Sequence, residues 1–154
     1  MNLSPHFTLE ELSHSATAVA KAIGNVPDAA ARANLLTLAQ SALEPLRTLW
    51  GCPIKVTSGF RSPAVNLLVG GAKHSAHLDG RAADVVPAGL DLGVAYEMAV
   101  ASAVPYDQLI IERMANGAAW IHVAIARVGA VPRRQALTAV GTAGKIRYNR
   151  VAEG

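Results

Sequence analysis

His77, Asp84 and His122 are the side chains whose types and surroundings point most directly to chemistry. Asp84 lies in the apolar, strand-like run 82–86. Burial of a carboxylate there costs free energy unless a partner compensates its charge, and a cation can do so. His122 lies in a second apolar run and poses the same problem. Gly80 permits a sharp turn after His77, so this histidine and Asp84 can face one space.

Two histidines and one carboxylate leave the fourth position of a tetrahedral zinc ion open to water, as in catalytic sites. Cys52 is the only cysteine, so a thiolate cage is excluded. Imidazole and carboxylate also suit other first-row metals, so these residues favour zinc without requiring it. A metal-free interpretation stays open, in which His77 and Asp84 form a hydrogen-bonded pair and His122 is a satisfied core histidine.

Two further charged residues could act on a substrate at such a site. Arg61 projects from a turn between a strand and a capped helix, where its guanidinium could polarise a carbonyl or bind a carboxylate. A surface ion pair is the alternative. Glu112 is the candidate general base, because the predicted hairpin turn places it roughly opposite Ile121 and close to His122. A solvated charge at a strand end is the alternative for Glu112, and Asp107 is the weaker candidate for the base.

The composition limits the class of protein. A chain of 154 residues that is 51% hydrophobic and 16% charged predicts one soluble folded domain. Apolar runs stay short of the ~20 residues that a membrane span needs, so no membrane partner is predicted. The net charge of +3 comes from scattered arginines, which argues against a nucleic-acid partner and allows weak attraction to an anionic cell wall. The first residues are neither basic nor apolar, so no signal peptide is predicted.

The elements that must position these residues are helices first and short strands later. That order predicts a small single α+β domain, with a mostly antiparallel sheet that carries the metal site and helices packed against it. The basic, Gly-rich tail 128–154 is expected to add one last strand and irregular ends. The predicted elements are a short helix after the capping box at Thr8, a long amphipathic helix from Asp28 to Trp50 that kinks at Pro45, a strand at 54–57, a helix opened by Ser62, a strand at 82–86, a helix capped by Asp91, and strands at 107–112 and 119–125 joined by an Asn116-Gly117 turn.

Three ordered motifs resemble the D-Ala-D-Ala carboxypeptidase family of zinc peptidases, whose pattern is S-G-[YF]-R-S, S-x-H-x-x-G-x-A-x-D and W-x-H. The matching segments here are SGFRS at 58–62, SAHLDGRAAD at 75–84 and WIH at 120–122. Relatives include vancomycin-resistance dipeptidases and bacteriophage L-alanyl-D-glutamate endolysins. Segments 7–12 and 107–112 look like those of small phage members, which extends the resemblance over about residues 5–125.

The resemblance implies one zinc ion bound by His77, Asp84 and His122. It implies hydrolysis of peptide bonds in peptidoglycan stem peptides, by attack of metal-bound water. Arg61 matches a residue that stabilises the oxyanion and contacts substrate in the family. Ser75 matches a serine that contacts substrate.

The general base is where this chain departs from the pattern. Many relatives carry a carboxylate three residues before the last histidine, and here that position is Ala119. We therefore assign the base to Glu112. Gln108 shares its face and is a predicted substrate-binding residue, whereas Trp120 either packs beneath the metal or forms a substrate wall.

The reaction and the setting follow from the same resemblance. A carboxypeptidase that removes a terminal D-Ala and an endopeptidase that cuts a stem or cross-link both fit. The expected setting is a phage enzyme, monomeric, made in the cytoplasm and acting on the cell wall after lysis-type release or as a virion component. Ala119 keeps an alternative open, a non-catalytic metal-binding or wall-binding module of the same fold.

Overall fold

The computed structural model describes residues 1–142 and 145–151, and it places helices mainly in the first half of the chain. The helices are α1 (Leu9–Ser13), α2 (Ala16–Lys21), α3 (Ala29–Leu38), a π-helical segment (Ala39–Leu43), α4 (Glu44–Trp50), α5 (Pro63–Leu68), a 3-10 helix (Ala76–Asp79) and α6 (Leu92–Val100). The strands are β1 (Ile54–Ser58), β2 (Ala82–Pro87), β3 (Gln108–Met114), β4 (Ala119–Ala124), β5 (Gln135–Thr142) and β6 (Lys145–Arg150).

The strands form one sheet in the order β1-β2-β4-β3-β5-β6. Among the described strands, β3 and β5 run parallel and every other neighbouring pair is antiparallel. The predicted α+β fold with a mostly antiparallel sheet is confirmed. Within residues 1–142 and 145–151, none of the helices combines the length and the apolar character that crossing a membrane requires.

Side-chain caps explain where the helices begin. Thr8, Asp28, Ser62 and Asp91 each accept a hydrogen bond from the backbone N–H three residues further on. Each cap thereby satisfies one of the N–H groups that the first turn of a helix leaves unpaired. The predicted starts of these four helices are therefore confirmed.

The predicted long helix that ends at Trp50 is present with an interruption. Its middle, Ala39–Leu43, is π-helical and directly precedes Glu44 and Pro45. Proline has no backbone N–H to donate and its ring crowds the preceding turn, so a wider turn at this point accommodates it. Trp50 then anchors the end of α4, because its indole N–H donates to the Ala95 carbonyl of α6 at 2.9 Å.

The main core lies between the helices and one face of the sheet. Four odd-numbered residues of β3 and β4 face this core and are at most 5% exposed. Since successive side chains of a strand point to opposite faces, the even-numbered residues of the same strands face the other way. That second face carries the charged and aromatic side chains of the site. The core-facing residues of these two strands are Leu109, Ile111, Ile121 and Val123.

The tail beyond residue 128 contributes two strands, so the expectation of one was wrong. β5 joins the edge of β3, and β6 pairs with β5. Every residue of β6 is exposed, so burial does not distinguish the two faces of this strand. Positions 143–144 and 152–154 of the predicted tail lie outside the described residues.

An ion pair fixes the start of β5. The carboxylate of Asp107 accepts hydrogen bonds from the backbone N–H of Arg133 at 2.9 Å and from its Nη2 at 2.8 Å. The neighbouring Arg134 lies over the Tyr106 ring, 4.3 Å from its centroid. Asp107, the weaker base candidate, is thus paired with an arginine that lies two residues before β5.

The Asp107 pair predicts a pH-dependent stability. Burial raises the pKa of Asp107, but hydrogen bonds from Arg133 outweigh this effect and hold the pKa below its ordinary range. A lowered pKa gives a stabilisation that is complete above the unfolded value of ~3.9 and is lost as pH falls through the folded value. We expect Asp107→Asn to lower the free energy of unfolding at pH 7 by about 1–2 kcal/mol.

Urea unfolding of the wild type and Asp107→Asn at pH 7 and pH 3 measures this effect. The difference between the two proteins should shrink at pH 3, which lies below the unfolded pKa of ~3.9, because the unfolded chain then binds a proton at this carboxylate. The control is Asp91→Asn, because Asn caps a helix about as well as Asp. An equal difference at both pH values would contradict the ion-pair explanation.

Candidate metal centre

His77 lies in the 3-10 helix, which Ser75 caps at its start and Gly80 caps at its end. The Ser75 hydroxyl accepts a hydrogen bond from the His77 backbone N–H at 3.2 Å. Gly80 has φ of 73° and a Cβ there would collide with the Ala31 carbonyl, so the turn into β2 requires glycine. Asp84, the third residue of β2, faces the same space as His77.

The structure brings the three predicted ligands together. Asp84 on β2 is paired directly opposite His122 on β4. Asp84 Oδ1 lies 3.1 Å from His122 Nδ1 and 3.3 Å from His77 Nε2. One ligand atom from each residue lies within 4.8 Å of the other two, and all three side chains are buried. This cluster could hold a metal ion.

The position of the proton on the His77 ring indicates whether a cation fits between His77 and Asp84. Its Nδ1 lies 2.7 Å from the Gly59 carbonyl, which only accepts, so Nδ1 carries the proton. In a neutral imidazole Nε2 then directs a lone pair at the Asp84 carboxylate, so two acceptors face each other. Protonating Nε2 would resolve this conflict, but burial lowers the pKa of His77 and disfavours the charged ring. A divalent cation satisfies both groups, and the donor set fits one.

Gly59 is a site residue that sequence reasoning missed. Its carbonyl orients His77, and the chain passes so close to Leu12 that a Cβ on Gly59 would collide with the Leu12 carbonyl. The Phe60 N–H donates to that same carbonyl at 2.7 Å, which holds the segment in place. The signal that could have identified it is the glycine of the SGFRS motif.

Arg61 contacts the other oxygen of Asp84. Its Nη2 donates to Asp84 Oδ2 at 3.2 Å and its Nε to Ser58 Oγ at 3.1 Å. Its side chain is 16% exposed, so the ion pair lies within the site rather than on the open surface. Burial raises the pKa of Asp84, but the neighbouring histidines outweigh it and keep the pKa far below its ordinary range. Asp84 is therefore a carboxylate whose two oxygens have separate partners.

Glu112 lies on the site face, although not in the expected pairing. It is opposite Trp120, whereas Ile121 is opposite Ile111, so the predicted register was wrong by one residue. Residues directly opposite each other share a face of the sheet. The observed register therefore puts Glu112 on the face of His122, and the expected one would have turned it into the core. Burial, followed by the charge of Asp84, raises the pKa of Glu112.

A cavity of about 340 Å³ opens over the cluster and reaches the remaining predicted residues. Gln108 donates one amide hydrogen bond to Gln135 Oε1 at 2.8 Å, and Trp120 belongs to the cavity wall. The buried indole N–H of Trp120 has no hydrogen-bond partner among the described residues. The cavity residues that had been predicted are Arg61, Ser75, His77, Asp84, Gln108, Glu112, Trp120 and His122.

A second cavity, of about 530 Å³, adjoins the first and shares Arg61, Asp84 and Trp120 with it. His14 and Thr17 lie on its other side. The space around the ligands therefore extends in two directions. Sequence reasoning assigned His14 no role, because this residue only ends a short helix.

Ile146 and Tyr148 are further cavity residues that were missed, and they come from β6. The signal was the alternation of Ile146 and Tyr148 with Arg147 and Asn149, a two-residue period that indicates a strand with two unlike faces.

One family model, described as Peptidase M15, matches residues 5–124. All three motifs lie inside this range, and β5 and β6 lie outside it. Among curated proteins, none matches the chain significantly.

Proposed function

The chain belongs to the peptidase M15 family, and from that premise we propose that it is a zinc-dependent hydrolase of peptidoglycan stem peptides. The observation that carries the proposal is the buried cluster of His77, Asp84 and His122 with Glu112 at the same cavity. The family supports a peptidase, and the cluster supports a metal-dependent one. Zinc is the metal that this donor set favours.

A zinc ion bound by the three ligands would supply Lewis acidity toward water and the substrate carbonyl. Glu112 then takes a proton from the attacking water and delivers it to the leaving nitrogen. Its burial suits this task, because a raised pKa brings a carboxylate closer to the working pH. Arg61 borders both cavities, where its guanidinium stabilises the carbonyl oxygen as it gains negative charge.

The substrate would lie along the two adjoining cavities, with Ser75, Gln108 and Trp120 in contact with it. Removal of a terminal D-Ala and cleavage within a stem or cross-link are both compatible with this space. The net charge of +3 suits approach to an anionic cell wall. The phage setting that the motifs suggest belongs to the same proposal.

Incubation of the zinc-loaded protein with purified peptidoglycan tests the function directly. We expect release of D-Ala or new amino ends, detected by mass spectrometry, and loss of this release when a chelator removes the metal. Ala119 supports the second candidate, a non-catalytic module, because the carboxylate of many relatives is missing there. Stoichiometric zinc with wall binding but no hydrolysis would favour that module over the peptidase.

A further inference from the structure

Tyr148 lies in one row of the sheet with Glu112. Glu112 is paired with Ala139 of β5, and Ala139 is paired with Tyr148 of β6. Trp120 continues the row on the other side of Glu112. Because paired residues share a face, the tyrosine projects on the side of the sheet that carries the metal ligands. Ala139 between them is small, so the longer side chains can approach each other over it.

The side chain of Tyr148 reaches the cavity over the cluster. It borders the same space as His77, Glu112 and His122 and is 52% exposed. Burial, followed by the negative charges of Glu112 and Asp84, raises the pKa of Tyr148. The hydroxyl therefore stays protonated at neutral pH and can act as a donor.

The wall to which Tyr148 belongs extends beyond the metal ligands. Ile146 lies one row further along β6, paired with Gly141, which is itself paired with Met114. A third cavity, of about 560 Å³, adjoins the cavity over the cluster. The residues Val69, Met114 and Ile146 border both cavities. One wall of the cavity thus comes from a strand outside the segment that the family model matches.

We propose that Tyr148 is a substrate-contacting residue, whose hydroxyl donates a hydrogen bond to a carbonyl or carboxylate oxygen of the peptide bound beside Glu112. This inference rests on the proposed function, since it takes a stem peptide as the occupant of the cavity. Its ring and Ile146 bound the subsite on the β6 side of the scissile bond. Substrate selection in this chain therefore depends on its own C-terminal strand as well as on the shared motifs.

The test compares Tyr148→Phe with its parent by two measurements. The first is the Kd of a soluble stem-peptide fragment for zinc-loaded protein in an inactive Glu112→Gln background, by calorimetry. The second measurement determines KM and kcat separately in protein that retains Glu112. Losing one hydrogen bond should weaken binding and raise KM about fivefold, with kcat nearly unchanged. Phenylalanine keeps the ring, so thermal unfolding should be unaffected.

Asn149→Ala is the matched control, because this neighbour in β6 faces the opposite side of the sheet. Equal binding by Tyr148→Phe and its parent would overturn the role of Tyr148 and leave the proposed function standing. An effect of the same size in Asn149→Ala would also overturn it, because it would indicate a general disturbance of β6. A parent protein that neither binds nor cleaves stem peptides would overturn both proposals.

Discussion

Asp84→Asn is expected to remove the bound zinc and to abolish peptide hydrolysis. Asparagine keeps the shape of the side chain but loses the negative charge that faces both histidines from within 3.3 Å. Loss of the metal removes several kcal/mol of transition-state stabilisation, so kcat/KM should fall on the order of 10³-fold or more. Elemental analysis of the purified protein gives the zinc content, and release of D-Ala or new amino ends gives the rate.

His74→Ala is the control for this variant, because His74 is exposed and lies three residues before His77. It should retain one zinc per chain and full activity. His122→Ala removes a ligand on another strand and should reproduce the loss seen with Asp84→Asn. Stoichiometric zinc in both ligand variants would refute the assignment of this cluster as the metal centre.

Glu112→Gln is expected to keep the zinc and lose most of the turnover. Glutamine preserves the size of the side chain and its position opposite Trp120, but it cannot accept and return a proton. Positioned general acid–base groups contribute about 10²–10⁴-fold, so kcat should fall by a factor in that range while KM changes little. Steady-state kinetics with a stem peptide, together with zinc analysis, provide the measurement.

The matched control is Glu97→Gln on the exposed side of α6, which should leave kcat unchanged. Full activity in Glu112→Gln would mean that another group moves the proton. Loss of zinc in this variant would instead indicate that Glu112 supports metal binding. Either result would remove Glu112 as the base while leaving His77, Asp84 and His122 as candidate ligands.

The hairpin between β3 and β4 illustrates where sequence reasoning reached the site and where it fell short. The Asn116-Gly117 pair correctly indicated a turn, and a two-residue loop would have paired Glu112 with Ile121. The Met114 N–H instead donates to the Ala118 carbonyl at 2.8 Å, and Gly117 has φ of 90°. These features are typical of a three-residue loop, which shifts the register by one.

The ligands were easier to find than the walls around them. Asp84 was conspicuous because burial of a lone carboxylate in an apolar strand needs a compensating charge. For Tyr148 the alternation indicates a strand with two unlike faces, but it does not indicate where that strand joins the sheet, and Tyr148 lies far from Glu112 along the chain. Pairing between distant segments, here the parallel alignment of β3 with β5, is not encoded in any local pattern of residues.

The basic character of β6 bears on edge-to-edge pairing between copies of the chain. Within the described residues β6 ends the sheet, and an unpaired strand edge can recruit a strand from another molecule. Lys145, Arg147 and Arg150 place three positive charges along its six residues. Two such edges repel each other. The strand that borders the cavity over the cluster therefore also protects the sheet against edge-to-edge aggregation.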